Sequence, residues 1–298
     1  MDKPDPSVVR TEVRDGIVLL AIDNAPVNAL SNGVRQTLFN SLGDAQANAG
    51  VHAIVIHGCR DRFSGGADIR EFNGSRRRPF TSDVAALAET GAKPVVAAIA
   101  GFALGAGLEL ALGAHARIAA ASARLALPEV KLGLLPGGGG TQRLPRLVGL
   151  GNALDLILSG RTLGVDEAHA MGLVDKIVDD GRLVEEAVAF ARELAQGIRP
   201  LRRTGALVAR LDVDAARSLR HARRRLTDSG EALPVHRRII DAVRAAAELP
   251  LSEGLKLEHD AFMHCVETPE HRALAEAFFA RRAAAQAGKL NRPADRAS

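Results

Sequence analysis

The first half of the chain alternates short apolar runs with stretches of amphipathic helical periodicity. Four apolar runs have the length and the β-branched content of buried strands. They lie at residues 16–23, 52–58, 93–101 and 116–121. Two stretches between them, residues 32–48 and 81–90, have the apolar spacing of one helical face. Strands and helices in this order predict a layered α/β domain with crossover connections.

The second half of the chain has a different pattern. From about Gly151 onward the periodicity is mostly helical, and a span rich in Ala, Arg and Leu covers residues 200–249. A last pair of helices is expected after the sequence LPLSEG, residues 249–254. This change predicts a core domain over residues 1–198, followed by a helical extension with C-terminal helices over residues 199–298.

The composition indicates a soluble globular protein. The chain has 298 residues, of which 47% are hydrophobic and 25% are charged, so it can bury a substantial core. Two cysteines are too few for a disulfide framework and predict a reducing compartment, the cytoplasm. The first fifteen residues have no apolar signal pattern, and the most apolar run, residues 94–108, is too short and glycine-rich for a membrane span. No membrane partner is predicted.

The charge favours anionic partners. The net charge is +4 with a pI near 9.5, and arginines form runs at residues 75–79 and 220–226. These runs could hold phosphate or nucleic acid, or they could be solvated surfaces. The chain has no Trp or Tyr, and no aromatic residue interleaves with the runs to stack on bases. A phosphate group on a small ligand is therefore favoured over nucleic acid.

Two glycine-rich sequences, GFALGAG at 101–107 and LPGGGGTQRL at 135–144, indicate close approach of the backbone to a ligand. Neither has the spacing of a dinucleotide-binding turn or the lysine of a Walker loop. In the first, a strand runs into Gly105 and then into a helical pattern. Amides at such a helix start can donate to an oxygen that gains negative charge, although a plain tight turn explains the sequence equally well.

A second segment offers another amide for the same purpose. The sequence RFSGGADIREF, residues 62–72, follows a predicted strand, and its Gly-Gly-Ala leaves a backbone amide free of bulky side chains. Two such amides converging on one carbonyl oxygen would form an oxyanion hole.

Glu109 is the unusual residue of the apolar sequence 100–116, because no positive residue lies within four positions of it. A carboxyl group in an apolar pocket has a raised pKa and can exchange protons near neutral pH. The structural alternative is a buried glutamate held by backbone amides. Other chemistry has little support: HDAFMH, at 259–264, lacks the i, i+4 spacing of a zinc pair, so no metal site is predicted, and no G-x-S-x-G elbow is present.

Three sequences in this order and spacing resemble the enoyl-CoA hydratase/isomerase (crotonase) family. They are FSGGADI, ALGAGLELALGAHARIA and LPEVKLGLLPGGGGTQRLPRLVG. The resemblance covers nearly the whole chain, and details such as VNALS and EAFFARRAA are most similar to the hydratase/isomerase half of peroxisomal-type multifunctional β-oxidation enzymes. It implies an α/β crotonase fold of repeated ββα units with a helical C-terminal region.

The resemblance also implies functional residues. Glu109 and Glu129 match the two catalytic carboxylates, and the amides of Ala67 and Ala106 match the oxyanion hole. The family commonly has glycine at the position of Ala106, and alanine there keeps the backbone donor. Many members have Asp at the position of His115, and His115 is interpreted as a structural residue. The residues implied to bind substrate are Val27, Ala29, Leu30, Gly66, Asp68, Ile69, Gly105, Phe279 and Arg281.

The activity implied is hydration of a 2-enoyl-CoA to a 3-hydroxyacyl-CoA, in fatty-acid β-oxidation or related acyl-CoA degradation. One alternative is a Δ3,Δ2-enoyl-CoA isomerase, since the same carboxyl pair can move a proton between C2 and C4. Another is a non-catalytic homologue that binds acyl-CoA or RNA. No cofactor is expected beyond the CoA of the substrate. Typical members of the family are homotrimers or hexamers, whereas the multifunctional relatives fold their extra helices back on the same chain, so the resemblance leaves both arrangements open.

The resemblance also bears on the next reaction. The multifunctional enzymes continue into a dehydrogenase half, whereas residues 287–298 here read AGKLNRPADRAS. The expectation is that this chain neither binds NAD nor oxidises its product. A separate 3-hydroxyacyl-CoA dehydrogenase is therefore an expected partner.

Overall fold

The computed structural model describes residues 8–68, 70–71, 77–228 and 233–290. Over these residues the strands are β1 (Val9–Arg14), β2 (Ile17–Ile22), β3 (Ala53–Gly58), β4 (Val95–Ile99), β5 (Phe102–Leu104), β6 (Ala116–Ala120), β7 (Arg124–Ala126), β8 (Leu163–Gly164) and β9 (Lys176–Val178). The helices are α1 (Asn32–Ala47), α2 (Thr81–Thr90), α3 (Ala106–Leu112), α4 (Gly140–Val148), α5 (Leu150–Ser159), α6 (Val165–Ala170), α7 (Leu183–Ala195), α8 (Val213–Asp228), α9 (Pro234–Glu248), α10 (Leu251–Val266) and α11 (Pro269–Leu290).

The strands form two sheets. The larger has the order β1-β2-β3-β4-β6-β9, in which β1 and β2 are antiparallel and all other neighbours are parallel. The smaller has the order β5-β7-β8. Successive strand pairs divide between the sheets: β4 and β6 join the larger sheet, whereas β5 and β7 join the smaller. This division is the repeated ββα arrangement predicted from the resemblance.

The central strands are buried because helices cover the sheet. Every residue of β2, β4 and β6 is buried, as expected for strands of a parallel sheet that is not exposed to solvent. Helix α7 contacts β2, β3, β4 and β6, and α1 contacts β1 and β2. Helix α1 begins after Ser31, whose side chain accepts from the Val34 amide, and it buries Val34, Leu38 and Leu42 at a spacing of four residues.

The C-terminal helices pack against the core. Helix α9 contacts α4 and α5, α10 contacts α4 and α9, and α11 contacts a short 3-10 turn at Glu129–Leu132. These contacts bring the helical extension against the segments that carry the predicted site. The division of domains at residues 198 and 199 stays a prediction. Among the described residues, no helix is both long and apolar enough to cross a membrane.

The predicted strands and helices of the first half are confirmed, with boundaries that differ by at most two residues. Strands β1, β7, β8 and β9 were not predicted from the sequence. Five of the six residues of β1 are exposed, so this edge strand has no apolar run, and β9 has only three half-buried residues. Short or solvated strands lack the hydrophobic pattern from which the others were predicted.

Candidate active site

A cavity of about 980 Å³ opens at the carboxyl ends of β2 and β3. Its walls come from the loops after these two strands, the start of α3, residues 128–138 and parts of α10 and α11. Ligands of open α/β sheets usually bind outside the carboxyl ends of the strands. The cavity is therefore the candidate active site.

Glu109 and Glu129 both line this cavity. Glu109 lies in α3 and is 3% exposed, while Glu129 opens the 3-10 turn after β7. As a whole residue Glu129 is half-buried, but its Oε2 atom is shielded from solvent, and among the described residues nothing donates a hydrogen bond to that atom. A Cβ atom built on Gly105 would lie 2.8 Å from Glu129 Oε1, so the Glu129 carboxyl packs against the turn that begins α3.

The two carboxyl groups have different surroundings. Glu109 Oε1 accepts hydrogen bonds from the amides of Gly138 at 2.7 Å and Gly140 at 2.9 Å. Burial raises the Glu109 pKa, and these two amides and the charge of Arg143 oppose the rise. Burial raises the Glu129 pKa well above its usual value, and the negative charge of Glu109 raises it further. The two carboxyl groups therefore favour the state in which they carry one proton between them, with Glu109 ionised and Glu129 protonated.

The predicted oxyanion residues lie on two turns that touch each other. Ala67 and Ala106 both line the cavity. Gly66 has a φ of +101°, and a Cβ atom on it would lie 2.7 Å from Leu104 O and 3.6 Å from Ala106 N. Only glycine fits there without displacing the backbone. The approach of the two turns brings the segments carrying the Ala67 and Ala106 amides to one wall of the cavity.

Most of the residues predicted to bind substrate also line the cavity. They are Val27, Ala29, Gly66, Asp68, Gly105, Phe279 and Arg281. Leu30 does not line it: its side chain is buried in the core, and its amide donates to Gly66 O at 2.8 Å. Leu30 therefore supports the turn that carries Ala67. Asp68 is paired with Arg70, which lowers its pKa, and Ile69 lies outside the described residues.

The glycine-rich sequence at residues 135–144 was predicted to approach a ligand, but its glycines approach the side chain of Glu109. A Cβ atom on Gly138 would lie 2.6 Å from Glu109 Oε2, and one on Gly140 would lie 2.9 Å from Glu109 Oε1. The glycines thus allow the Glu109 carboxylate to reach the backbone amides. Glu109 is held by backbone amides, as the structural alternative predicts, and it also lines the cavity, as the functional interpretation requires. The two interpretations therefore do not exclude each other.

The sequence analysis missed a third buried carboxyl group. Glu258 of α10 is 1% exposed and accepts hydrogen bonds from Gly139 N at 2.6 Å, Thr141 N at 2.8 Å and Thr141 Oγ1 at 2.6 Å. Helical periodicity could have found it, because Gly254, Glu258 and Phe262 lie four residues apart on the buried face of α10. Within the part of the chain that is described, no cluster of His, Cys, Asp and Glu is arranged to hold a metal ion.

Two carboxyl groups and two glycine-supported amides around one cavity are typical of an enzyme that transfers protons at a carbon next to a carbonyl group. The model of the enoyl-CoA hydratase/isomerase family matches residues 12–229. The chain belongs to that family.

Curated relatives include enzymes much longer than this chain. The peroxisomal bifunctional enzyme of Danio rerio is 41% identical over 272 residues, which are 91% of this chain and 38% of the relative. The peroxisomal bifunctional enzyme of Homo sapiens is 41% identical over 277 residues, with coverage of 92% and 38%. The chain thus spans less than two fifths of the length of these relatives.

Solved structures confirm the predicted fold. An enoyl-CoA hydratase/isomerase from Pseudoalteromonas atlantica T6c has a TM-score of 0.69 and 24% identity, covering 92% of this chain and 97% of that one. An enoyl-CoA hydratase from Mycobacterium tuberculosis H37Rv has a TM-score of 0.61 and 26% identity, with coverage of 88% and 100%. The α/β crotonase fold with a helical C-terminal region is therefore established.

Proposed function

We propose that this chain hydrates 2-enoyl-CoA thioesters to 3-hydroxyacyl-CoA. The observation that carries the proposal is the unequal pair of buried carboxyl groups in one cavity. Glu109 accepts two backbone hydrogen bonds that favour its ionised form, whereas among the described residues Glu129 Oε2 accepts none. One group suited to accept a proton and one suited to give a proton are what addition of water requires.

In the proposed reaction, the thioester oxygen accepts hydrogen bonds from the amides of Ala67 and Ala106. Glu109 takes a proton from water, and the resulting hydroxide adds to C3 while the C2–C3 π electrons move toward the thioester oxygen. The two amides stabilise the negative charge on that oxygen. Glu129 then gives its proton to C2, and the proton taken by Glu109 returns to Glu129 or to solvent before the next turnover.

The lining of the cavity supports a CoA thioester as the substrate class. Cationic side chains of Lys131 and Arg281 lie in the same walls as the apolar side chains of Leu132 and Phe279. Cations suit the phosphates of CoA, and apolar groups suit an acyl chain. In this proposal the reaction uses no cofactor or metal beyond the CoA of the substrate, because the carboxyl pair and the amides supply all its proton transfers.

Isomerisation of a 3-enoyl-CoA is a second candidate activity. Glu109 and Glu129 line the same cavity, so both carboxyl groups can serve one substrate. Removal of a proton at C2 and its return at C4 requires the same pair and no added water. The non-catalytic alternative is less well supported, because a binding protein does not need two buried carboxyl groups in its cavity.

The assembly, the partner enzyme and the cellular compartment of this chain are also proposals. We propose a homotrimer or hexamer and a separate 3-hydroxyacyl-CoA dehydrogenase that consumes the product. Both cysteines are free, which supports a reducing compartment, predicted above to be the cytoplasm. The curated relatives described above are named as peroxisomal, so microscopy of a tagged chain should compare these two compartments.

The proposed function is tested by incubating the purified chain with crotonyl-CoA and with longer 2-enoyl-CoAs. Loss of the enoyl thioester absorbance, with 3-hydroxyacyl-CoA as the product, is the expected result. A 3-enoyl-CoA in the same assay measures isomerisation. A folded chain that binds butyryl-CoA but leaves every enoyl-CoA unchanged would overturn the proposal in favour of a binding protein.

A further inference from the structure

The turn at the start of α4, residues 138–141, divides its amides between two carboxylates. Gly138 and Gly140 donate to Glu109, whereas Gly139 and Thr141 donate to Glu258. The donors to the two carboxylates alternate along the chain, so Glu109 and Glu258 bind the same turn. Any movement of the turn away from Glu258 would also move the two amides that face Glu109.

Glu258 has no part in the proton transfers proposed above. It is absent from the lining of the cavity, and it approaches the turn from α10 of the helical extension. Both of its oxygens are used: Oε1 accepts from Gly139, and Oε2 accepts from the amide and the hydroxyl of Thr141. The Thr141 hydroxyl in turn accepts from Gln142, whose amide group also donates to Ala242 O of α9. This network ties the turn to two helices of the extension.

A carboxyl group is expensive to bury, so its retention at this position requires a reason. We propose that Glu258 is a positioning residue: by binding the amides of Gly139 and Thr141 it fixes the turn so that the Gly138 and Gly140 amides point at Glu109. This inference rests on the proposed hydratase function. If Glu258 has this role, the helical extension affects the carboxyl pair of the core through the turn at residues 138–141.

The charge of Glu258 also reaches the pair. Burial and the charge of Glu109 raise the Glu258 pKa, and the hydrogen bonds from Thr141 and Gly139 oppose the rise because they favour the carboxylate. The charge of Glu258 contributes to the raised pKa of Glu129. The charged or titratable groups around Glu258 are Glu109 of α3, Glu129 of the 3-10 turn, Arg143 of α4 with its ion-pair partner Glu89 of α2, and the adjacent His259 of α10. Arg143 forms its ion pair with Glu89, and among the described residues it forms none with Glu258.

The main test is Glu258→Gln, measured by hydration of crotonyl-CoA as a function of pH. The glutamine amide presents a donor where a backbone donor already points, so the turn should lose at least one hydrogen bond to a charged acceptor. We expect kcat to fall about tenfold or more, with KM within about twofold of wild type. Because a negative charge near Glu129 is removed, its pKa should fall, and the loss of activity at high pH should begin at a lower pH.

Two further variants separate position from charge. Glu253→Gln makes the same chemical change at an exposed residue of α10, and it should leave kcat, KM and the pH profile unchanged. Glu258→Asp keeps the charge but withdraws the carboxylate by one methylene, so kcat should fall while the high-pH limb stays in place. The aspartate variant decides the question if Glu258→Gln does not fold. Wild-type kcat in a folded variant at 258 would overturn the proposal.

Amide hydrogen exchange tests the positioning without turnover. In Glu258→Gln the amides of Gly138 and Gly140 should exchange faster, although their own acceptor is Glu109. Unchanged exchange at these two amides would overturn the positioning role even if the wild-type chain hydrates crotonyl-CoA. A wild-type chain without hydratase activity would remove the proposed function, whereas faster exchange in the variant would still show that Glu258 holds the turn.

Discussion

The two glycine-rich turns of this protein lie at the starts of α3 and α4, and their amides have different partners. In the first turn, Gly105 donates to Ala126 O, and the next residue, Ala106, lines the cavity. In the second turn, four successive amides from Gly138 to Thr141 donate to glutamate side chains of the protein itself. Glycine therefore marks a close approach of the backbone in both turns, but the sequence does not tell which group is approached.

The largest effects are expected at the carboxyl group beside each turn. Glu109→Gln and Glu129→Gln should each lower kcat by about 10² or more, because an amide cannot exchange the proton. Binding of butyryl-CoA should persist in both, as measured by calorimetry. Near-normal turnover in either variant would remove that residue from the mechanism.

Stability should distinguish the same two variants. The amides of Gly138 and Gly140 both donate to Glu109 Oε1, and a glutamine carbonyl oxygen can replace that acceptor only without its charge, so Glu109→Gln should lower the free energy of unfolding by about 1 kcal/mol. Glu129 Oε2 has no such donor among the described residues, and glutamine replaces a carboxyl group whose raised pKa already favours its neutral form. Chemical denaturation of Glu129→Gln should therefore give wild-type stability or slightly more.

The first turn is tested through its backbone. Ala106→Pro deletes the predicted oxyanion donor and should lower kcat by about 10² to 10³. Because Ala106 is the first residue of α3, proline is tolerated there by the helix itself. Ala106→Gly keeps the amide and should have nearly wild-type kcat. A folded, active proline variant would contradict the role assigned to this amide.

The second turn is tested by adding one methyl group. In Gly138→Ala the new Cβ atom would lie 2.6 Å from Glu109 Oε2, so the carboxylate has to withdraw from its two amides. The loss of a hydrogen bond to a charged group corresponds to a fall in kcat of about tenfold to 10²-fold. Gly164→Ala is the matched control, since no atom lies within 4 Å of its new methyl group. Equal activity of the two variants would show that Glu109 does not depend on the turn.

Features that depend on local pattern were predictable from sequence, and features that depend on long-range contacts were not. The apolar runs gave the central strands, and the isolated charge of Glu109 in an apolar sequence identified it as unusual. The partner of the second glycine turn could not be predicted, because Glu258 lies 119 residues from Gly139 along the chain. The family resemblance implies that Leu30 binds substrate, whereas its side chain packs in the core.

The smallest effect is expected at a glycine that approaches nothing. Gly43 lies inside α1, and no atom is within 4 Å of a Cβ atom built on it. Alanine reduces the conformational entropy lost on folding at a helical position, so Gly43→Ala should raise the free energy of unfolding by about 0.5–1 kcal/mol. Its kcat should equal that of wild type, because α1 contributes neither carboxyl group. If Gly43→Ala lowers the free energy of unfolding, the absence of close contacts at a glycine does not predict that alanine is tolerated there.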